Sequence, residues 1–148
     1  RRLLILASED IGNANPTALI LANNTFQAVS TIGYPESRII LSQCAIYLAN
    51  STKSNASYKA INEAQRLVKK TGDLSVPLHL RNAPTKLMKD LDYGKDYKYA
   101  HDFEGNFADQ EFMPEEIQET RLYEPRRNAR EDQFRKFLKD RWKDKYGY

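Results

Sequence analysis

Apolar residues recur at intervals of three and four positions through the first half of the chain, which is the spacing of helices that bury one face. Asn15 followed by Pro16 is typical of an N-cap and a first helical residue, and it predicts a helix over residues 16–32 that ends at Gly33. The predicted buried stripe of this helix is Leu19, Ala22, Phe26 and Val29. No alternation of period two favours a strand.

The same signals predict three more helices in this half, at residues 3–9, 36–49 and 55–71, and Ser54 or Asn55 is expected to cap the last of them. The helix at 36–49 has little polar face, so we expect it to be central and contacted from several sides. Its apolar residues are Ile39, Ile40, Leu41, Cys44, Ala45, Ile46 and Leu48. The predicted stripe of the following helix is Ala60, Ile61, Ala64, Leu67 and Val68.

Proline or glycine interrupts the second half about every ten residues from Ser75 onward. Only residues 85–91 and 114–120 are typical of short helices there. Frequent aromatic residues favour a long irregular segment anchored to the helical core by its rings. Helical periodicity returns at Glu131. One face of this terminal helix is predicted to carry Phe134, Phe137, Leu138, Trp142 and Tyr146.

These patterns predict an all-α fold in which residues 1–74 form a helical core. Residues 75–148 form the irregular, aromatic-anchored segment, with short helices and a basic C-terminal helix, packed on that core as one domain. The composition, 41% hydrophobic and 29% charged over 148 residues, is that of an ordinary globular protein. The longest apolar run, at 44–49, is far shorter than the roughly 18 residues of a membrane span.

Cysteine and histidine usage excludes two kinds of stabilising site. Cys44 is the only cysteine, so no internal disulfide forms, and His79 and His101 are the only histidines, so no cluster has zinc spacing. This usage is typical of a reducing cytosol. Because the chain starts without a methionine or a signal peptide, we expect it to be a piece of a longer protein.

Charge is distributed unevenly along the chain. Residues 81–120 carry 5 basic and 10 acidic side chains, whereas residues 121–148 carry 10 basic and 5 acidic ones. The basic tail is suited to contact phosphates. It is equally suited to dock on the acidic segment of its own or a neighbouring chain.

Motifs for nucleotide, calcium or hydrolase chemistry do not occur. The six glycines are too widely spaced for a GxGxxG loop or a GxSxG elbow. Three aspartates around Gly94 resemble a calcium loop, but the glycine lies one place early and His101 occupies the position of the final glutamate. We therefore predict no catalytic, cofactor or metal site.

Three polar stretches are candidates for a structural or an interaction role. Ser54 and Asn55 lie in the first, as possible helix caps, and His79 and Arg81 lie in the second, where they either bond to the backbone or form a contact site. Tyrosines dominate the third, as anchors or as rings that stack bases. The candidates are Lys53, Ser54, Asn55, Tyr58, His79, Arg81, Asn82, Lys86, Tyr97, Tyr99 and His101. A candidate basic contact face on the terminal helix is Arg135, Lys136, Lys139 and Lys143.

The second polar stretch connects the helical half to the irregular half. We expect Arg81 and Asn82 to bond to backbone groups there. The leucines and the methionine of this stretch are predicted to be buried, at Leu78, Leu80, Leu87 and Met88.

Several stretches are distinctive in their composition and order: residues 8–16, 53–55, 79–89, 93–94, 97–102 and 123–125. The most specific is 79–89, which reads HLRNAPTKLMK. Together they resemble the C-terminal region of the replication-associated recombination protein A family. These bacterial AAA+ ATPases are also called MgsA, and Werner helicase interacting protein is their eukaryotic relative. The resemblance spans nearly the whole chain.

The resemblance implies an all-helical oligomerisation domain, similar to the collar of clamp-loader subunits, that assembles the family's ATPase into a homotetramer. It implies a cytoplasmic, nucleoid-associated parent protein with DNA-stimulated ATPase activity at blocked replication forks, and DNA and single-stranded DNA-binding protein as partners. The family's ATP and Mg²⁺ motifs precede this region, so we expect no cofactor and no catalysis here. The alternative is a nucleic-acid or partner-protein binding module that uses the basic C-terminal tail.

Overall fold

A computed structural model describes residues 1–148 and contains helices and turns but no strand. The predicted all-α class is confirmed. The six α-helices are α1 (Arg2–Leu6), α2 (Thr17–Ile32), α3 (Ser37–Ala49), α4 (Ala56–Thr71), α5 (Lys86–Asp90) and α6 (Ala129–Trp142). The chain leaves α1 through one π turn and one 3₁₀ turn before α2 begins.

The ends of α2 and α4 follow the signals that predicted them. Gly33 and Gly72 have positive φ angles of 76° and 68°, which L-residues other than glycine rarely adopt. Their N–H groups bond to the carbonyls of Val29 and Val68 and so close the last turn of each helix. At the other end of α2, Asn15 does not cap the helix, because its Oδ1 accepts from the Tyr47 hydroxyl at 3.3 Å while its Nδ2 donates to Ser51 Oγ at 3.1 Å.

Gly12 allows the turn after α1 to contact the loop that precedes α4. A Cβ atom at this position would lie 2.6 Å from the carbonyl oxygen of Ser54. In the same contact, the Ser54 N–H donates to the carbonyl of Asp10 at 2.8 Å. A side chain at residue 12 would therefore separate two segments that are joined by a backbone hydrogen bond.

A small core lies where α1, its following turn, α2 and α3 meet. Half of its fully buried members are alanines, which let the helix axes approach closely. The core residues are Ala7, Ile11, Ala18, Ala22, Cys44 and Leu48.

The predicted buried stripe of α2 is right for Ala22 but wrong for Leu19 and Phe26. Ala18, Ala22 and Thr25 are the buried residues, whereas Leu19 and Phe26 are 44% and 42% exposed. The small side chains allow α3 to pack closely on one side of α2. The larger apolar side chains are left beside that contact and face outward.

The prediction that α3 is contacted from several sides is also wrong. Only Ser37, Cys44 and Leu48 of this helix are buried, and the apolar residues on its other side are exposed, with Ile39 at 64% and Ile46 at 62%. This chain supplies α1 and α2 as neighbours of α3 but no helix for its opposite face.

The predicted stripe of α4 is likewise not buried. Ala56 is the one buried residue of this helix, while Ile61 and Val68 are more than half exposed. Only the first turns of α4 contact the rest of the chain, near the turns that follow α1.

The second half is irregular, as predicted, with 3₁₀ turns between α5 and α6. The short helix predicted over 114–120 is a single 3₁₀ turn, Glu115–Ile117. Lys143 has a φ of 50° and ends α6, so Tyr146 lies beyond the helix rather than on its apolar face. Phe137 is 53% exposed, against prediction, and the Arg141 guanidinium covers one side of its ring. The division at residue 74 stays a prediction.

None of the six helices combines the length and the apolar composition that crossing a bilayer requires.

Candidate functional site

Polar side chains around one buried carboxylate hold the start of α6, and we name this cluster the polar junction: Asn55, Tyr123, Arg126, Asn128 and Glu131. Glu131 is fully buried. Asn128 is the N-cap of α6, where its Oδ1 accepts from the Glu131 N–H at 3.0 Å and its Nδ2 donates to Glu131 Oε2 at 2.6 Å. This reciprocal pair satisfies free groups of the first helical turn.

The polar junction also connects α6 to distant parts of the chain. The Tyr123 hydroxyl donates to Glu131 Oε1 at 3.0 Å, and the Arg126 N–H donates to Oε2 at 3.3 Å. Burial, followed by the bond to Glu131, raises the pKa of Tyr123 well above its ordinary value, so the phenol keeps the proton that it donates. Arg126 Nη2 donates to Asn55 Oδ1 at 3.1 Å, immediately before α4.

Local sequence patterns do not identify this cluster as a site, since they mark Glu131 only as the start of a helix. The spacing of Asn128 and Glu131 matches a capping box and is a signal for that pair. The contact between Arg126 and Asn55 joins residues 71 positions apart, and no local pattern predicts it.

Two residues of the first candidate stretch, Ser54 and Asn55, make hydrogen bonds within the fold. Ser54 is buried and its Oγ accepts from the Ala56 N–H at 3.3 Å, as expected of a residue that begins α4. Asn55 belongs to the polar junction. Lys53 and Tyr58 are exposed and are not brought to either of these contacts.

The second candidate stretch is held by hydrogen bonds to the backbone. His79 Nε2 lies 2.7 Å from the carbonyl oxygen of Glu111. Arg81 Nε donates to the Val76 carbonyl at 2.6 Å, and its Nη1 donates to the Tyr93 hydroxyl at 3.1 Å. This geometry agrees with the structural interpretation of His79 and Arg81.

Other residues of this stretch are more exposed than predicted. Asn82 is exposed and makes no hydrogen bond to the backbone, against prediction, and Lys86 is exposed as well. Leu78 and Leu87, which were expected to be buried, are 46% and 68% exposed. The turn is fixed by polar bonds from Arg81 and His79, so its packing does not require the leucines to enter a core.

Replacing Arg81 by alanine is expected to lower the free energy of unfolding by about 1–3 kcal/mol, because the carbonyl of Val76 loses its donor. Urea unfolding followed by circular dichroism measures the change. Lys86→Ala is the control, because it removes one exposed positive charge from the same stretch and is expected to change stability by less than about 0.5 kcal/mol. Equal stabilities of the two variants would contradict a structural role for Arg81.

The third candidate stretch lies on the surface. Tyr97 and Tyr99 are more than half exposed, and the rings of Tyr99 and His101 contact one another with centroids 5.1 Å apart. The expectation that these tyrosines anchor the segment is therefore wrong. Phe107 anchors the segment instead, because its ring packs edge-to-face against Trp142 with the centroids 5.0 Å apart. A phenylalanine ring, unlike that of tyrosine, has no hydroxyl group that must stay hydrated.

The candidate basic contact face is smaller than predicted. Lys136, Lys139 and Lys143 are exposed. Arg135 is half-buried, donates to the Pro125 carbonyl and lies 3.8 Å from a carboxylate oxygen of Glu124. Its guanidinium therefore stabilises the loop before α6 rather than joining the three lysines.

The basic tail contacts the acidic segment of its own chain, which is one of the two alternatives that its charge left open. Lys145 Nζ lies 2.8 Å from a carboxylate oxygen of Glu111, and both side chains are less than a third exposed. Beside this ion pair, Trp142 meets Phe107 and Phe112 edge-to-face.

Acid is expected to release this tail contact. Partial burial raises the pKa of Glu111, but the bond from Lys145 and the N–H groups of Met113 and Phe112 outweigh it and hold the pKa below its ordinary value of 4.5. Because the pKa of Glu111 is lowered in the folded chain, its ionised side chain stabilises the contact above about pH 4.5. This stabilisation is lost as the pH falls through the lowered pKa. Trp142, the only tryptophan, reports the change by its fluorescence.

Glu111→Gln is expected to remove this acid-induced fluorescence change, because glutamine does not titrate. Glu116→Gln removes an exposed carboxylate nearby and serves as the control. An unchanged acid transition in Glu111→Gln would show that another group controls the tail.

An open groove runs along the outer side of α3, and we name it the α3 outer groove. Its volume is about 730 Å³. Ile39 and Ile46 are its exposed isoleucines, two helical turns apart. The groove is lined by Arg38, Ile39, Ser42, Gln43, Ile46 and Tyr47.

Comparison with known proteins decides the family. The family model described as MgsA AAA+ ATPase C terminal matches residues 1–142. The chain belongs to the MgsA family. The resemblance seen in the sequence is thereby confirmed, and the MgsA match includes all six helices.

Individual relatives agree with the MgsA assignment. The chain is 52% identical over 126 residues to the replication-associated recombination protein A of Coxiella burnetii, which covers 84% of this chain and 29% of that protein. The Escherichia coli protein of the same name is 44% identical over 126 residues, covering 84% and 28%. The ATPase WRNIP1 of Dictyostelium discoideum is 44% identical over 125 residues, covering 84% and 14%. The chain thus spans less than a third of the length of these relatives.

Proposed function

We propose that this chain is the C-terminal oligomerisation domain of a DNA-dependent AAA+ ATPase that acts in replication-fork maintenance and recombination. Four copies assemble into a homotetramer. The family match and the names of the relatives support the replication and ATPase parts of this proposal.

The observation that carries the oligomerisation role is the apolar surface that α2, α3 and α4 leave uncovered. Exposed apolar side chains on three helices of one chain indicate an interaction site. A second copy presents the same helices and is therefore a complementary partner. The exposed side chains are Leu19, Ile20, Phe26, Ile32, Ile39, Leu41, Ile46, Ile61 and Val68.

The remaining functions are assigned to the parent protein. ATP and Mg²⁺ bind outside this chain, DNA stimulates hydrolysis, and single-stranded DNA-binding protein is a partner. This part of the protein is catalytically silent and acts in the cytoplasm at the nucleoid. The short share of each relative that the chain covers is consistent with such a division of tasks.

A second candidate function is binding of nucleic acid or of a protein partner by the basic tail. It is favoured by the excess of basic residues over 121–148 and by the exposure of Lys136, Lys139 and Lys143. A salt titration of binding to labelled single-stranded DNA distinguishes nucleic acid from a protein partner as the ligand, because phosphate contacts weaken steeply with salt.

Sedimentation velocity of the chain tests the oligomerisation role. We expect a tetramer at about 10 µM, a concentration at which interfaces of modest affinity are occupied. A monomer whose sedimentation coefficient does not change up to several tens of micromolar would contradict the proposal.

A further inference from the structure

We propose that single-stranded nucleic acid binds along one face of α6 and that one nucleotide enters the cleft at the end of this helix. The inference rests on the proposed DNA-dependent function and names the surface of this chain that DNA contacts. It differs from the candidate basic contact face, whose Lys136 and Lys139 lie on the opposite side of α6 and which shares only Lys143 with the cleft.

Two cations flank two aromatic rings along the proposed face. Arg130, Phe134, Phe137 and Arg141 follow one another at spacings of four, three and four residues, which places them in one row on a helix. The Arg130 guanidinium lies 5.8 Å from the Phe134 ring centroid, and that of Arg141 lies 3.6 Å from the Phe137 centroid.

This row is available to a ligand. Phe137 is 53% exposed, and neither Arg130 nor Arg141 makes an ion pair. A single strand presents phosphates and bases in alternation, so its phosphates match the two guanidinium groups and its bases match the exposed ring.

The row leads into a cleft of about 740 Å³ between the end of α6 and the irregular segment. Arg141 belongs both to the row on α6 and to the lining of the cleft, so the two surfaces are continuous. Phe103, Phe107 and Trp142 form the aromatic lining of the cleft. The edge-to-face contact of Phe107 with Trp142 fixes this lining, and Phe103 is 42% exposed. The volume is within the range of sites that bind small molecules.

Charged side chains in the cleft select among occupants. Lys143 contributes a cation in addition to Arg141. Lys145 contributes one that is paired with Glu111, and Lys98 one that donates to the Asp109 carbonyl. Glu104, Asp109 and Asp140 contribute carboxylates. An acidic peptide would meet the three carboxylates, and a basic peptide would meet the cations. A nucleotide offers a phosphate to the cations, an aromatic base to the rings, and exocyclic amino groups to the carboxylates. A base that is paired in a duplex does not reach such a cleft, which favours a single strand.

Fluorescence anisotropy with labelled oligodeoxycytidine of about 12 nucleotides tests the surface, at low salt and with the 148-residue chain. Phe137→Ala and Arg141→Ala are each expected to weaken binding about tenfold. Lys139→Ala removes the same charge as Arg141→Ala from the opposite side of α6 and is expected to weaken binding less than about twofold. Equal effects of Arg141→Ala and Lys139→Ala, or no binding by the unmodified chain, would overturn the proposal.

Two further measurements test whether a nucleotide enters the cleft. Trp142 fluorescence should change on addition of the oligodeoxycytidine, because the nucleotide lies against the lining that contains this ring. Oligodeoxythymidine should bind more weakly, since thymine lacks the exocyclic amino group, and Asp140→Asn should reduce that difference. An unchanged Trp142 signal together with equal affinity for the two oligonucleotides would place the strand outside the cleft and overturn this part.

Sedimentation separates this proposal from the oligomerisation role. Phe137→Ala and Arg141→Ala should sediment as the unmodified chain does. A tetramer that binds no oligonucleotide refutes the nucleic-acid surface alone, whereas a monomer that binds it refutes the oligomerisation role alone.

Discussion

Replacing Glu131 by alanine is expected to lower the free energy of unfolding by about 3–5 kcal/mol. The buried carboxylate accepts hydrogen bonds from the Tyr123 hydroxyl, the Asn128 amide and the Arg126 N–H. Its removal leaves three partly buried donors without an acceptor, each at a cost of roughly 1–3 kcal/mol. Urea unfolding followed by circular dichroism measures the loss.

Two companion variants show whether the bonds or the helix are responsible. Glu131→Gln preserves the volume and one acceptor oxygen, so a smaller loss of about 1–2 kcal/mol is expected. Gln133→Ala changes an exposed residue of the same helix and should alter stability by less than about 0.5 kcal/mol. If Glu131→Ala were as stable as Gln133→Ala, the polar junction would not be what holds α6.

Placing aspartates at Ile39 and Ile46 together is expected to convert the proposed tetramer to a monomer at micromolar concentration. Both side chains lie in the α3 outer groove, and burial of each in an interface contributes about 1.5–3 kcal/mol. Burial of an unpaired carboxylate adds a further cost. The dissociation constant should therefore rise more than about a hundredfold, which sedimentation equilibrium measures.

The same double variant should remain folded, because 64% of Ile39 and 62% of Ile46 are exposed in the single chain. An unchanged helical circular dichroism spectrum verifies this. Gln133→Asp introduces a similar charge on α6 and is the control for a general effect of charge. A double variant that still sediments as a tetramer would show that the interface lies on another helix.

Local signals predicted the helices of the first half well. Glycine at positions 33 and 72 ends α2 and α4 because it alone adopts the required backbone geometry without strain. These effects act within one turn of helix, so one sequence contains all the information that is needed. The short helix at 85–91 was predicted on the same basis and forms as α5.

Burial was predicted less well because periodicity identifies an apolar face but not what covers it. The face of α3 that includes Ile39 and Ile46 is apolar as expected, yet it is exposed in the single chain. Leu19 and Phe26 of α2 are exposed for a related reason, since Ala18 and Ala22 occupy the close contact and larger residues do not fit there.

For the candidate sites, too, contacts between residues near in sequence were predicted and contacts between distant residues were not. The bonding of Arg81 to the backbone was predicted from its place between prolines and leucines, and its acceptor, Val76, is five residues away. The polar junction was not, because Arg126 and Asn55 are brought together only by the folded chain. Long-range hydrogen bonds of this kind leave no trace in spacing or composition.

The scarcity of buried residues affects how this chain responds to dilution. Only 13 of its 148 residues are buried in a single copy, and half of the core cluster is alanine, so little of the free energy that opposes unfolding is available within one copy. We expect assembly to add to the stability of the folded single copy, so that the melting temperature rises with protein concentration. Dilution should therefore lower the melting temperature even when no denaturant is present.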